Sequence, residues 1–310
     1  MIKILKFLTV SLVLVSSGAA LSADTTRILT GFPAGSGPDN LARHLAVALE
    51  KKWGTPVVVD NRPGANGSIA MRELTVSPRN GTVLFLGSTD YFVTYPLLYT
   101  NQYSRYLYPL VPYAKLDMML VASPKFKNFN ELSTRIDTSP IFGSWGIGSI
   151  MHFAGESTAT TLSKQPAIHV LYKDFAPLFT DVVNQQVTYV WAATGTVAEY
   201  EKGGLVKFFA VSTRARNPNY PSVPSITEIS TVQLELPSAW IGIGVHSATD
   251  PVIKLKLEKD VADTIATLQN DINDIGYLPW PVSPNEFRRT VTNDSVTVQK
   301  IINKYSISIK

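Results

Sequence analysis

The stretch Phe32-Pro33-Ala34-Gly35-Ser36-Gly37-Pro38-Asp39 joins an apolar run, Arg27 to Phe32, to a segment in which Leu41, Leu45 and Leu49 recur every four residues. The first run has strand character, and the second places one apolar stripe on a helix. Strand, glycine turn and amphipathic helix together make one unit of an α/β fold. Glycines in such a turn let the backbone bend tightly and approach a ligand, while the helix start aims unpaired N–H groups at the same point. That combination suits a carboxylate or phosphate. Asp39 complements the helix N-terminus. On spacing alone an ordinary strand-to-helix turn is the plainer reading.

Outward from this turn the same alternation continues. Further strand candidates are Pro56 to Asp60, Thr82 to Gly87, Met118 to Ala122, Ile168 to Leu171, Val187 to Trp191, Val206 to Val211 and Ala239 to Val245. Asp250-Pro251 reads as an N-cap followed by a first-turn proline, with Ile253, Leu257, Val261, Ile265 and Leu268 on one face. Ser283-Pro284-Asn285-Glu286 has capping-box spacing and opens a last helix with Phe287, Val291, Val298 and Ile302 toward the core. Pattern leaves open whether these strands form one sheet or two.

Composition narrows the class. The chain has 310 residues, 45% hydrophobic and 17% charged, no cysteine and a formal charge of +4. This argues against a disordered chain, a disulfide scaffold or a cysteine-ligated metal domain. Residues 1–23 read as a signal peptide. Lys3 and Lys6 precede an apolar core, Phe7 to Val15, and small residues follow, with cleavage expected after Ala20 or Ala23. The core is too short for a spanning helix. Without those two lysines the balance falls to +2, and no basic run supports nucleic-acid binding. A soluble exported protein is expected, periplasmic in a bacterium.

A second glycine loop, Gly143-Ser144-Trp145-Gly146-Ile147-Gly148-Ser149, leads into a helix starting near Ile150, with Ser149 as its N-cap. Facing the first loop, it would complete a two-sided anion clamp. Neither loop is a dinucleotide fingerprint, no Walker lysine motif is present, and no cofactor is implied. The four histidines, His44, His152, His169 and His246, share no metal-ligand spacing. Only His152, in the first turn after the second loop, stands where chemistry is plausible. An exported hydrolase using His152 with Ser144 or Ser149 is the enzymatic alternative, against which stands the lack of an activated-nucleophile motif.

Several blocks in order carry a family resemblance. They are Gly31 to Gly35 with Asp39-Asn40-Leu41-Ala42-Arg43, and the long block Trp53-Gly54-Thr55-Pro56-Val57-Val58-Val59-Asp60-Asn61-Arg62-Pro63-Gly64-Ala65-Asn66-Gly67-Ser68. Asn80 to Gly87, Ser144 to His152, Val170-Leu171-Tyr172-Lys173, Ala210 to Thr213 with Pro221 to Ser225, and Trp240-Ile241-Gly242 complete the series. Through these the chain resembles the Bug or TctC family, the extracytoplasmic solute-binding receptors of tripartite tricarboxylate transporters.

The resemblance implies a two-lobed Venus-flytrap fold of the type II periplasmic-binding-protein kind, each lobe a mostly parallel sheet flanked by helices. Residues 24–122 and 234–310 would form lobe 1 and residues 123–233 lobe 2, with the ligand between them. It implies a small carboxylate-bearing ligand, membrane permease subunits as partners and a monomer. A sensor kinase is the alternative partner. The first loop would contribute Phe32, Ala34, Gly35, Ser36, Gly37 and Asp39, and the loop after the third strand Ser88, Asp90 and Tyr91. The second lobe would add Ser144, Trp145, Gly148, Ser149 and His152, then Tyr172, Asp174 and Trp191. Departures from the family pattern include Pro38, which removes one amide donor, and aspartates at positions 90 and 174. Either aspartate, facing the cleft, would meet an amine. Trp145, inside a glycine loop where no helix face needs it, is the expected aromatic wall.

Overall fold

The computed structural model describes residues 25–99, 102–231, 234 and 236–308. The signal-peptide reading of residues 1–23 falls outside them. The chain opens with β1 (Thr26–Thr30), α1 (Gly37–Trp53), β2 (Val57–Asn61), α2 (Ser68–Val76), β3 (Val83–Ser88), α3 (Tyr95–Leu98) and β4 (Leu107–Lys115). It continues with β5 (Met118–Ala122), α4 (Phe129–Thr138), β6 (Ile141–Ser144), α5 (Ile150–Leu162), β7 (Ile168–Leu171), α6 (Phe175–Val183), β8 (Val190–Ala193), α7 (Thr194–Lys202), β9 (Lys207–Val211) and α8 (Ile226–Ile229). Last come β10 (Trp240–His246), α9 (Pro251–Ala266), α10 (Gln269–Asp274), β11 (Leu278–Pro279) and α11 (Pro284–Lys304).

Two sheets organise these elements. The first has the order β11-β4-β10-β3-β1-β2, parallel across β2, β1 and β3 and antiparallel where β10 inserts between β3 and β4. In the second, β5 runs antiparallel between β8 and β9, and β6 pairs in parallel with β7. A parallel bridge from Phe142 to Tyr189 joins the two groups, so β7-β6-β8-β5-β9 lie side by side. Each sheet has its own apolar core, one around Leu45, Phe85 and Val111, the other around Leu120, Phe142 and Val190. Trp145 and Leu236 pack against both. The result is a pair of α/β lobes.

The chain passes between lobes twice, and the crossings touch where Leu116 N donates to the Ala239 carbonyl at 3.0 Å. The sequence reading put Met118–Ala122 with the first lobe. Hydrogen bonding to β8 and β9 puts it in the second, so the first crossing falls at Leu116-Asp117. An all-apolar MMLVA strand carries no mark of which sheet it joins.

β4 escaped the sequence reading because Pro109 and Pro112 argue against a central strand. Both prolines sit where the register with β10 shifts, so the irregularities absorb the missing donors. The helix signals behave as their chemistry requires. Ser36 Oγ accepts from Asp39 N, Gly54 closes α1 at φ 69°, and Asp250 and Ser283 cap α9 and α11.

Candidate functional site

The first glycine loop is fixed from below by Asp39. This carboxylate is buried, and its Oδ2 accepts from Gly35 N and from Arg43 Nε, each at 2.8 Å. Its Oδ1 accepts from Asn61 Nδ2 at 2.9 Å. Burial alone would raise its pKa, but these donors together hold it below the ordinary carboxylate value. Ser36 Oγ donates to the Pro33 carbonyl at 2.7 Å. Asp39 thus shapes the turn, and the Gly35 amide points at Asp39 instead of outward.

The second loop is also internally bonded. Ser144 is fully buried, and its Oγ makes contacts with Gly146 O at 3.0 Å, Gly146 N at 3.2 Å and His169 Nε2 at 2.7 Å. Gly148 N donates to His152 Nδ1, and His152 N donates to Ser149 Oγ, both at 3.2 Å. His152 lies against His169 with ring centroids 4.3 Å apart. Burial pushes both imidazoles down, His152 to about 3 with help from His169, and His169 to about 4. Both are therefore neutral near pH 7. The Ser144 hydroxyl closes its own loop and offers no open face to a substrate.

The two loops meet across the cleft. Phe32 and Trp145 stack with centroids 5.3 Å apart and planes at 18°. A Cβ on Gly37 would lie 2.7 Å from the Gly195 carbonyl oxygen, so only glycine lets α1 and α7 approach this closely. Asp90 Oδ1 accepts from Ile150 N at 3.1 Å, linking the end of β3 to the start of α5. Beneath these contacts lies a cavity of about 50 Å³ lined from both lobes, with Phe32, Ser88, Asp90 and Tyr277 on one side and Trp145 and Phe175 on the other. Ser88 Oγ, Asp90 Oδ2 and Tyr277 Oη are buried and make no hydrogen bond of good geometry, although the Ser88 hydroxyl lies close enough to Asp90, and Thr196 to Tyr277, to influence their ionisation. Desolvation pushes the Asp90 carboxyl up to about 7, against the pull of the Ile150 amide and the nearby Ser88 hydroxyl.

Among the residues singled out from sequence, Phe32, Ser88, Asp90 and Trp145 therefore converge on the cavity. Others take different places. Asp174 is exposed and caps α6 by accepting from Phe175 N. Trp191 is completely buried and donates its indole N–H to Thr158 Oγ1 at 2.9 Å, inside the second core. Tyr172 donates to Asp181 Oδ2 at 2.6 Å, and burial and that partner raise its pKa. Tyr91 is fully buried, pressed against Gly31 and Gly67 beneath the first loop. Tyr277 and the Thr194-Gly195-Thr196 turn escaped the sequence reading. The turn carried a findable signal, a glycine in the first turn of a helix that directly follows a strand, whereas Tyr277 reaches the cleft only through tertiary folding. No helix among the described residues is long and apolar enough to cross a membrane, and no metal-binding cluster occurs among them.

Known proteins share this fold. The model for the tripartite tricarboxylate transporter family receptor, TctC, matches residues 41–307. A UPF0065 protein of Bordetella bronchiseptica is 30% identical over 208 residues, covering 65% of this chain and 62% of that one. The structure of periplasmic binding protein BugD superposes with a TM-score of 0.81 at 24% identity, covering 92% of this chain and 99% of its own. An R. palustris protein solved with adipate gives 0.81 at 23% identity, covering 91% and 98%. With its two lobes, its paired glycine loops and a family match across most of its length, the chain belongs to the TctC family of tripartite tricarboxylate transporter receptors.

Proposed function

We propose that the protein is exported to the periplasm with loss of residues 1–23, captures a small carboxylate-bearing solute between its lobes, and delivers it to the membrane permease of a tripartite tricarboxylate-type transporter. The observation that carries this reading is the cavity lined from both lobes, in which Ser88 Oγ, Asp90 Oδ2 and Tyr277 Oη are buried without a well-formed hydrogen bond. Each such atom costs about 1–3 kcal/mol if left unpaired, so a bound solute is the natural source of the missing bonds. Adipate in the R. palustris relative supports a carboxylate class of ligand. Because the Gly35, Gly146 and Gly148 amides are engaged within their loops, recognition falls to the remaining hydroxyls, to amides freed as the lobes part, and to bridging water.

Native mass spectrometry of the freshly purified protein, followed by a thermal-shift screen of dicarboxylates, amino acids and aromatic acids, tests the reading. A true ligand stabilises the fold by about 2.7 kcal/mol at a hundredfold excess over its Kd. Absence of a shift with every carboxylated compound would count against it.

A further inference from the structure

Among the described residues, Asp90 is the single carboxylate lining the inter-lobe cavity, and no lysine, arginine or histidine lines it. The residue is 1% exposed. Its Oδ1 takes the Ile150 N–H across the cleft, and its Oδ2 makes no well-formed hydrogen bond. Most of the remaining wall is apolar, including Phe32, Met118, Trp145, Phe175 and Ile241. An ionised carboxylate buried in the cleft disfavours a purely anionic ligand, since like charges in a dry cavity repel one another. The Ile150 amide, at the N-terminus of α5, favours the ionised form of Asp90. A positive group with N–H donors is what this arrangement lacks.

We propose that the cleft selects solutes bearing a protonated amine, whose N–H donates to Asp90 Oδ2 while an apolar body lies against Phe32 and Trp145. The inference rests on the receptor reading and narrows it to an amino acid or another zwitterion. Pairing offsets the desolvation of both charges, and the Ser88 hydroxyl offers a second acceptor nearby. A protonated Asp90 donating to a ligand carboxylate is the competing arrangement. It weakens as pH rises past the titration of Asp90, whereas the ammonium pair strengthens.

Titration calorimetry at about pH 8, above the value near 7 at which Asp90 titrates, separates them. The probes are matched pairs in which one carboxylate is replaced by an amine: succinate and 3-aminopropanoate, adipate and 5-aminopentanoate, benzylmalonate and phenylalanine. In at least one pair the amine member is expected to bind roughly tenfold or more tightly, about 1.4 kcal/mol. Asp90→Asn, which keeps an oxygen for Ile150 N, should abolish or reverse that preference. Diacids binding as tightly as their partners in the unaltered protein would overturn the inference and leave the receptor reading intact, whatever the variant does. A preference that survives in a cooperatively folded Asp90→Asn protein would overturn it too. Failure of all the probes to bind would bring down both readings.

Discussion

The indole N–H of Trp240 donates to Asp294 Oδ2 at 2.9 Å, while Asp294 Oδ1 accepts from Ser238 N at the same distance. One carboxylate on α11 thereby holds the strand that returns the chain to the first lobe. Thr89 locks the same place, donating to the Ser238 carbonyl at 2.6 Å and accepting from Trp240 N at 3.2 Å. Asp294 is buried, and burial raises its pKa. Asp294→Ala would leave the buried Trp240 indole N–H unpaired and release the amide of exposed Ser238, at about 1–3 kcal/mol in total. Urea unfolding should show a loss of that size, with Asp294→Asn between it and the parent. A change under about 0.5 kcal/mol would mean the carboxylate does not hold the crossing.

Closure depends on Gly195. A Cβ there would meet the Tyr277 ring and the Ile275 carbonyl oxygen at 2.3 and 2.6 Å. Alanine suits a helix start well enough, so Gly195→Ala should spare folding and prop the lobes apart. Solution scattering is expected to give a larger radius of gyration than for the parent, and solute binding should weaken roughly tenfold or more. An unchanged radius would show that the lobes close by another route.

The Phe32–Trp145 stack supplies the other closing contact. Aromatic pairs contribute about 0.5–1.5 kcal/mol beyond the area they bury. Trp145→Ala should therefore weaken binding of any solute found in the screen by about two- to tenfold through the lost stack alone, chiefly through faster dissociation. Trp145→Phe should recover most of that loss, as stopped-flow release rates would show.

Stability should respond to pH through two opposed contributions. His152 and His169 have folded pKa values depressed to about 3 and about 4, below the 6.5 of an unfolded imidazole. Their contribution is present above pH 6.5 and is lost as pH falls toward 4, because the unfolded chain then binds protons that the fold does not. Asp90 runs the other way, with a folded value near 7 against 3.8 unfolded. Its contribution is full below 3.8 and is lost as pH rises to 7. Between these limits the two oppose each other. Asp90→Asn should make stability rise more steeply with pH in denaturant titrations. His152→Asn, which keeps an acceptor for Gly148 N, should flatten the acid side. Parallel pH profiles for all three proteins would disprove the assignment.

Local chemistry made much of the architecture legible. Leu41, Leu45 and Leu49 mark α1, the Asp250-Pro251 and Ser283-Pro284 pairs mark helix starts, and Met118–Ala122 and Ile168–Leu171 match strands residue for residue. β6 escaped because Phe142 is its only fully buried large apolar side chain and Gly143-Ser144 read as loop. At the site, Asp90 and Trp145 stood out as a charge and an aromatic where loop chemistry called for neither. Asp174 and Trp191 looked equally suitable in sequence. Asp174 is turned away by its own neighbour, whose amide it caps at the start of α6, whereas Trp191 is turned inward by Thr158, a partner far along the chain. The first is a local capping pattern that a loop reading overlooked, and the second has no local signature.

The position of β10 has a further consequence, for the order in which the molecule can assemble. Every strand of the second sheet comes from the continuous stretch 118–211, and Val223 and Ile226 complete its core soon after, so that lobe can finish before β10 is free. The first sheet cannot, because β3 must wait for a partner in which Gly87 pairs with Gly242. Closing so long a loop is slow, and until it happens β3 and β4 each present an open edge to other chains. The inserted lobe is thus the early folding unit. The lobe that starts the sequence is the last to become safe from aggregation.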